Sequence, residues 1–302
     1  MEIIEKLVLS SDEIHQLHGR VYLPDGAPKG LFHVVHGMTE HIGRYDAFMR
    51  EMASDGFIVF GYDHLGHGNT ARDASELGFI AHKDGWQRLV DDVFVFGSAM
   101  RLEYGAELPY VLMGHSMGSF IVRLAAAQYD LQDKLIAMGT GGPNAAAGLG
   151  LAVIGTIKAF KGERHISPTI AKLAFGAYNK RFGNDDPHNW LTKNEAVRAT
   201  YKADPFCTFH FTASAMGDLV RLNKKCNQNA FIKMLNKQKP VLLVSGTEDP
   251  VGDYGKGVTA VYRRMQKYGI PVEMKLYENC RHEILNDTCR EQVLADIREF
   301  VK

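Results

Sequence analysis

The chain has 302 residues, of which 45% are hydrophobic and 23% charged, as in an average globular protein. This length suits one large domain, or one domain that carries an insertion. Lys plus Arg and Asp plus Glu both number 35, so the formal net charge is zero, and we expect no nucleic-acid partner because such proteins usually present a basic surface.

Residues 1–24 open the chain with polar and apolar residues that alternate on both sides of a turn-forming segment at 10–13, which predicts a β-hairpin. The segment lacks the basic start and the continuous apolar run of a signal peptide. The small and apolar stretch 145–160 is too short to span a bilayer. There are only four cysteines and no C-x-x-C pair, which is typical of a reducing compartment. We therefore expect a cytoplasmic protein.

Short apolar runs of strand length recur along the rest of the chain, and helical patterns follow them. This alternation is typical of a mostly parallel sheet with helices on both faces. The apolar runs are 31–37, 57–63, 109–116, 134–141, 240–249 and 271–279, and the clearest helical patterns are 119–129 and 291–301.

The interval 143–236 breaks this alternation, because it is rich in Lys, Asn, Phe and Met and contains no obvious buried strand. We predict that it is a helical cap, inserted into a core made of residues 1–142 and 237–302. Within the cap, residues 149–160 and 173–182 are predicted to be amphipathic helices. The interval also contains the apolar residues Phe206, Phe209, Phe211, Met216 and Leu219. They could line a substrate tunnel or form the core of the cap itself, and the sequence leaves both interpretations open.

The segment Gly114-His115-Ser116-Met117-Gly118 matches the motif G-x-S-x-G, and it stands between a predicted strand and a predicted helix. The motif requires this context, since the serine must sit on a sharp turn that lifts its hydroxyl above the sheet. Side chains at the flanking glycines would clash with neighbouring elements. We predict that Ser116 is the nucleophile of an enzyme with the α/β-hydrolase fold.

That fold places the catalytic acid after a late strand and the histidine before the last helix. Asp249 follows the apolar run 240–245, and His282 precedes the terminal helix. We predict that His282 takes and returns the serine proton and that the Asp249 carboxylate fixes the histidine tautomer. Glu248 and Asp253 compete for the role of acid, and we interpret them as solvated loop charges.

Two histidine pairs, His33 with His36 and His64 with His67, have the spacing H-x-x-H. The spacing belongs to neither a zincin helix nor a clustered zinc site. We expect these histidines to pack and to form hydrogen bonds within loops, and we predict neither a metal nor a cofactor. His115 is expected to pack at the elbow and not to serve as a second base.

Three segments of the chain resemble a known family. Residues 36–45 (HGMTEHIGRY) are similar to the HG-x-x-EH-x-x-RY segment of the monoacylglycerol lipase and lysophospholipase-like α/β hydrolases, also called serine aminopeptidase S33 or Hydrolase_4. Residues 61–69 resemble the glycine-rich segment of that family, and residues 114–118 resemble its GHSMG elbow. The resemblance covers the core and does not extend to the cap.

The resemblance implies an oxyanion hole formed by the backbone N–H groups of Met38 and Met117. The residues agree, since one donor should follow the nucleophile and the other should come from the loop after an early strand. The resemblance also implies a monoacylglycerol or lysophospholipid substrate, whereas the apolar cap alone predicts an acyl or aryl ester.

We therefore predict a serine carboxylic ester hydrolase that cleaves small-molecule acyl esters through an acyl-serine intermediate, with transient membrane contact through the cap left open. A first alternative is a peptidase or amidase of the S33 type. It would need a carboxylate for the substrate ammonium, for which Glu40, Asp185 and Asp186 are candidates. A second alternative is a non-catalytic ligand-binding protein on the same scaffold. Such a protein would be expected to have lost part of the triad.

Overall fold

An eight-stranded sheet forms the centre of the computed structural model, which describes residues 1–183 and 185–302. The strands are β1 (Glu2–Leu9), β2 (Gln16–Leu23), β3 (Gly30–Val35), β4 (Phe57–Tyr62), β5 (Tyr110–His115), β6 (Lys134–Met138), β7 (Val241–Gly246) and β8 (Val272–Tyr277). Their order in the sheet is β1-β2-β4-β3-β5-β6-β7-β8. Strand β2 is antiparallel to both of its neighbours, and the other pairs are parallel.

Helices follow most of the parallel strands. They are α1 (Asp46–Ser54), α2 (Gly85–Tyr104), α3 (Met117–Tyr129), α4 (Ala147–Lys161), α5 (Pro168–Phe175), α6 (Glu195–Ala203), α7 (Ala213–Cys226), α8 (Asn229–Met234), α9 (Lys256–Lys267) and α10 (Arg290–Val301). Short 3-10 helices span Ile42–Tyr45, Gly68–Thr70 and Ile284–Asn286.

Apolar side chains cover both faces of the central strands. Every residue of β3, β4, β5 and β7 is buried, which explains why these segments are continuously apolar and do not alternate. One apolar cluster packs α2, α3 and α9 on one face, and a second packs α1 and α10 on the other. This arrangement confirms the predicted α/β-hydrolase fold, with its mostly parallel sheet and helices on both faces.

Five helices, α4 to α8, lie between β6 and β7, in the interval predicted to be a cap. The boundaries 143 and 236 stay a prediction. Helices α7 and α8 pack against α3, and buried residues such as Met216, Leu222 and Ile232 belong to the main apolar cluster. Phe211 is buried in the same cluster. The second half of the interval is therefore held to the core more firmly than the first.

The first cap helices differ in detail from their predicted positions. The predicted helix 149–160 corresponds to α4, but Ala147 and Ile154 are its only buried residues. The predicted helix 173–182 was placed too late, since α5 ends at Phe175 and turns follow it. The cause is local: Ser167 caps the helix by accepting a hydrogen bond from the Ile170 N–H, with Pro168 at the first helical position.

The loops that follow the parallel strands gather at one edge of the sheet, which is where open α/β sheets bind ligands. Residues 36–45 follow β3, Ser116 follows β5, Asp249 follows β7 and His282 follows β8. None of the helices in the described part of the chain combines the length and the apolar character needed to cross a membrane.

Candidate active site

Ser116 occupies a strained turn between β5 and α3. Its backbone dihedrals are φ 54° and ψ −118°, a region that residues other than glycine seldom adopt. The turn is held because the Ser116 N–H donates to the Met138 carbonyl at 2.9 Å, and the Ser116 carbonyl accepts the N–H and the hydroxyl of Ser119. The side chain is half-buried at the start of α3, where helix N–H groups lack partners within the helix.

The two glycines of the motif allow a close approach between the elbow and its surroundings. A Cβ atom on Gly118 would lie 2.2 Å from the Val35 carbonyl oxygen, and one on Gly114 would lie 2.3 Å from the Gly118 carbonyl oxygen. Both distances are far below van der Waals contact. The two positions therefore require glycine for the steric reason predicted from the motif, because α3 packs closely against the end of β3.

Asp249 and His282 lie together in the interior. The Asp249 Oδ2 atom is 2.9 Å from Nδ1 of His282, and their side chains are 0% and 2% exposed. The Nδ1–H bond is not aligned with the carboxylate for a good hydrogen bond. Asp249 also accepts a hydrogen bond from the Val251 N–H at 2.8 Å and one from the Ser245 hydroxyl at 3.1 Å. Two hydrogen bonds therefore fix the carboxylate beside the histidine ring.

The competing acids lie elsewhere. Glu248 is half-exposed and pairs with Lys193 at 3.1 Å and with Arg281 at 3.8 Å. Asp253 is exposed in the following turn. Neither carboxylate contacts His282, so Asp249 is the acid that the structure places beside the histidine.

The His282 ring is packed between two other aromatic rings. The ring centroids of His115 and Trp190 lie 4.7 Å and 5.1 Å from its own. Across the described chain its Nε2 atom has no hydrogen-bond partner, so it makes no bond with Ser116 here. Catalytic hydrogen bonds are often loose before substrate binds. The two residues nevertheless share neighbours, since His115 directly precedes Ser116 and its Nε2 donates to the His282 carbonyl at 3.3 Å.

The predicted oxyanion donors, Met38 and Met117, lie on segments next to Ser116. A Cβ atom on Gly37 would lie 3.1 Å from the Ser116 Cβ, so the loop after β3 passes directly against the serine. Within the described residues, the Met38 N–H has no intramolecular acceptor, whereas the neighbouring N–H of Gly37 donates to Glu40 Oε1 at 2.5 Å. Met117 is the first residue of α3. The loop that carries Met38 and the first turn of α3 therefore both adjoin Ser116.

A cluster of buried charged side chains lies next to His115. Arg44 forms two bonds of 2.8 Å with Glu283 and one of 2.6 Å with Glu40. Burial alone would raise the pKa of Glu40, but hydrogen bonding with His115 and the charge of Arg44 outweigh it and hold that pKa well below its ordinary range. Burial lowers the pKa of His115, yet its bond with Glu40 raises that pKa above the ordinary value. Two buried carboxylates thus surround Arg44, and one of them also contacts His115.

The three histidines 36, 64 and 67 form a packed cluster. Their ring centroids are 4.1 to 5.9 Å apart, and burial lowers the pKa of each one. Their ring nitrogens bond to the backbone: His36 Nδ1 donates to the Gly37 carbonyl, and His36 Nε2 accepts the His64 N–H. His33 donates to or accepts from the Tyr110 hydroxyl at 2.7 Å.

One group of side chains in the described residues has the composition of a metal site. Ligand atoms of His41, Asp204 and Cys207 lie within 4.8 Å of one another. The His41 Nε2 atom already pairs with Asp204 Oδ2 at 2.9 Å, and Cys207 is buried. Two of the three potential ligands therefore already contact each other, between the loop after β3 and the end of α6.

The four cysteines divide into two kinds. Cys207 and Cys226 are free and buried, and burial raises the pKa of both thiols. Cys280 and Cys289 form a disulfide with Cα atoms 6.4 Å apart. This pair encloses the loop that carries His282, a pairing that the sparse cysteine content did not predict.

Three further side chains belong to the site and were not singled out in the sequence. They are Ser245, which bonds to Asp249, Trp190, which packs on His282, and Tyr201, which bonds to the loop after β3. A serine at a strand end or an aromatic residue in a cap is common for other reasons, so only the tertiary structure identifies them.

Comparison with known proteins gives a family match and close structural relatives. Residues 26–289 match the family model Hydrolase_4, described as serine aminopeptidase, S33. A monoacylglycerol lipase from Mycolicibacterium smegmatis is 25% identical over 93% of this chain and 91% of its own length. A monoglyceride lipase homolog from monkeypox virus is 26% identical over 94% of both chains. A thermostable carboxyl esterase from Bacillus coagulans, solved with glycerol, has a TM-score of 0.92 and 28% identity, with 100% of this chain and 98% of that chain covered.

Proposed function

Because the chain belongs to the Hydrolase_4 (serine aminopeptidase, S33) family, we propose that it cleaves monoacylglycerol-like esters through an acyl intermediate on Ser116. The protein is a carboxylic ester hydrolase, like the lipase and esterase relatives that cover nearly its whole length. The observation that carries the proposed mechanism is the buried Asp249–His282 pair next to the Ser116 elbow.

In the proposed mechanism, His282 Nε2 takes the Ser116 proton as the hydroxyl attacks the ester carbonyl. Asp249 stabilises the imidazolium through Nδ1 and holds its tautomer. The histidine then returns the proton to the leaving alcohol. Water attacks the acyl-serine by the same route, which releases the acid and restores the serine.

The oxyanion of each tetrahedral intermediate is proposed to accept the N–H groups of Met38 and Met117. Each such donor typically contributes about 3 to 4 kcal/mol to the stability of the transition state. Both donors are backbone groups, so the hole depends on loop geometry and not on side-chain identity at these positions.

The S33 peptidase alternative requires a carboxylate that is free to bind the substrate ammonium. Glu40 is buried and already bonds with Arg44, Tyr45 and the Gly37 N–H. Asp186 pairs with Arg198 and Lys202. Asp185 is exposed and accepts from Asn189 at 3.0 Å. Glu40 and Asp186 are thus already paired with cations, which supports an ester substrate over an N-terminal peptide.

Steady-state kinetics on matched substrates test the substrate class. Monoacylglycerols of graded chain length, lysophosphatidylcholine and an aminoacyl-p-nitroanilide are compared at equal concentrations. We expect the highest kcat/KM on a monoacylglycerol, weaker cleavage of the lysophospholipid and the least on the anilide. A preference for the anilide would overturn the ester assignment in favour of the peptidase.

We propose that the first cap helices touch the lipid surface that supplies the substrate. Leu149, Phe160 and Leu173 are 73%, 83% and 72% exposed, and Lys161 and Lys172 stand beside them. Apolar side chains flanked by lysines are typical of interfacial helices. Phe160→Glu should lower hydrolysis of monoolein in vesicles and leave p-nitrophenyl butyrate turnover unchanged. Leu102→Glu, at an 88% exposed residue of α2, is the matched control.

A cytoplasmic location is proposed from the sparse cysteines alone. In that compartment the Cys280–Cys289 pair would be reduced, as would Cys207 and Cys226. If cells are quenched in acid and their proteins are unfolded before alkylation, mass spectrometry should therefore find four modified thiols per chain. Recovery of the Cys280–Cys289 disulfide would contradict a reducing compartment.

A further inference from the structure

Thr39, the residue after the proposed oxyanion donor Met38, is held in an unfavourable backbone conformation. Its φ is +50°, which a β-branched residue rarely adopts. Such a conformation persists only where the surroundings determine it. Three hydrogen bonds do so here: the Thr39 N–H donates to His67 Nε2 at 3.3 Å, and the Thr39 carbonyl and hydroxyl each lie 3.0 Å from the Tyr201 hydroxyl.

Tyr201 reaches this loop from the cap. It lies on α6, is 8% exposed and bonds to Thr39 across 162 positions of sequence. The Arg44 guanidinium stacks on its ring at 4.8 Å from the centroid. One residue past the end of α6, Asp204 pairs with His41 at 2.9 Å. Helix α6 is therefore attached to the 37–44 loop at three points.

The second partner of Thr39 is also supported by the cap. Burial lowers the pKa of His67 to about 4, so its imidazole is neutral at ordinary pH. His67 Nδ1 donates to the Leu65 carbonyl, which leaves Nε2 to accept the Thr39 N–H. The rings of Phe209 and Phe211 pack edge-on against His67 at 5.3 Å and 5.4 Å.

These contacts hold the residues on both sides of Met38, whose N–H group is free within the described part of the chain. The Gly37 N–H is taken by Glu40, the Thr39 N–H is taken by His67, and the Met38 N–H between them has no acceptor among the described residues. Because peptide units are planar, fixing Gly37 and Thr39 limits the direction in which the Met38 N–H can point.

We propose that Tyr201 is a positioning residue for the oxyanion hole, through which helix α6 of the cap holds Thr39 and so aims the Met38 N–H at the developing oxyanion. The inference rests on the proposed function of Ser116 and Met38. It gives the cap a role in stabilising the transition state, in addition to any role in binding the acyl chain. Movement of α6 away from the core would then release Thr39 and disassemble the hole.

Tyr201→Phe tests this role, because it removes the hydroxyl and keeps the ring under Arg44. Tyr22→Phe is the matched control. Tyr22 is also buried, donates one phenolic bond of 2.7 Å to Asp46 and has Arg50 over its ring at 5.8 Å, but among the described residues its hydroxyl forms no hydrogen bond with the 37–44 loop. The substrate is p-nitrophenyl butyrate, and the inhibitor is an alkyl trifluoromethyl ketone, whose adduct with the serine carries an oxyanion.

For Tyr201→Phe we expect kcat to fall about tenfold with KM within about twofold of wild type, since a displaced donor weakens the transition state alone. The affinity for the trifluoromethyl ketone should fall by a similar factor. Tyr22→Phe should leave both quantities within about twofold. Equal behaviour of the two variants, or a rise in KM alone, would overturn the proposal.

If Tyr201→Phe lowers the melting temperature far more than Tyr22→Phe, Thr39→Gly is measured instead. Glycine keeps the backbone bonds of this residue but loses the hydroxyl bond with Tyr201 and gains backbone freedom, so a partial loss of kcat is expected, and wild-type kcat would overturn the proposal. Failure of the proposed function is a separate result. In that case Ser116→Ala would retain turnover, whatever the result at Tyr201.

Discussion

The carboxylate of Asp249 lies 2.9 Å from Nδ1 of His282, and both side chains are shielded from water. The two residues come from loops after β7 and β8. Since neighbouring parallel strands end at the same edge of the sheet, their following loops bring acid and histidine together. The Ser245 hydroxyl, at the end of β7, fixes the carboxylate from the other side.

Asp249→Asn should lower kcat for p-nitrophenyl butyrate by about 10³- to 10⁴-fold, because the amide favours the wrong histidine tautomer and cannot stabilise the imidazolium. Glu248→Gln is the matched control at the adjacent position and should lie within about twofold of wild type. Steady-state kinetics of both variants and wild type measure the two effects on kcat. Equal losses in the two variants would contradict the role of Asp249.

Glu283→Gln should reduce the free energy of unfolding by about 3 kcal/mol, because it leaves Arg44 buried with an incomplete set of partners. Glu299, which pairs with Lys302 on the surface, offers the matched change Glu299→Gln. That control should leave the free energy of unfolding almost unchanged, because a surface ion pair contributes little. Urea unfolding of both variants measures the difference, and a small effect at Glu283 would be inconsistent with a buried ion cluster.

Asp218→Asn should stabilise the protein at neutral pH. Burial raises the pKa of Asp218 to about 6, above its value in the unfolded chain. The folded state therefore holds a proton that the unfolded state releases, and wild-type stability falls as pH rises from about 4 to 6. The asparagine variant does not titrate and avoids this loss. Its free energy of unfolding should therefore exceed that of wild type by an amount that grows over that range to about 1–2 kcal/mol and then stays constant.

Thermal or urea unfolding of Asp218→Asn and wild type between pH 4 and 8 checks that prediction. Asp133→Asn provides a control, since Asp133 also accepts a backbone N–H, from Tyr110 at 2.8 Å, and it is exposed. Its effect on the free energy of unfolding should be small, because the Asp133 side chain is exposed to water. If the free energy of unfolding of Asp218→Asn instead falls relative to wild type as pH rises, the folded state stabilises Asp218 as a carboxylate, and the prediction is wrong.

The sequence predicted the sheet well because short-range patterns determine it, whereas the roles of the triad residues stay a prediction. β5 is continuously apolar since both of its faces are buried, and the elbow after it needs glycine where a Cβ would strike a carbonyl. The chain order of serine, acid and histidine follows from the order of the strand ends. These features depend on burial and on local steric limits, and both can be inferred from the residue types in a short segment of sequence.

The cap was harder to predict because its contacts are long-range. Helix α5 begins at Pro168, five residues before the predicted start, since the Ser167 cap and the proline decide the boundary and the apolar pattern does not. The Tyr201–Thr39 bond joins residues 162 positions apart, and Trp190 packs on His282 from 92 positions away. No local pattern in the sequence indicates such partners.

Active-site labelling tests the assignment of Ser116 most directly. Wild type and Ser116→Ala are incubated with a fluorophosphonate, and intact masses and peptide maps are measured by mass spectrometry. We expect one adduct per wild-type chain on Ser116, parallel loss of ester turnover, and no adduct on a folded Ser116→Ala variant. An adduct on another residue, or full turnover by Ser116→Ala, would contradict the proposed nucleophile.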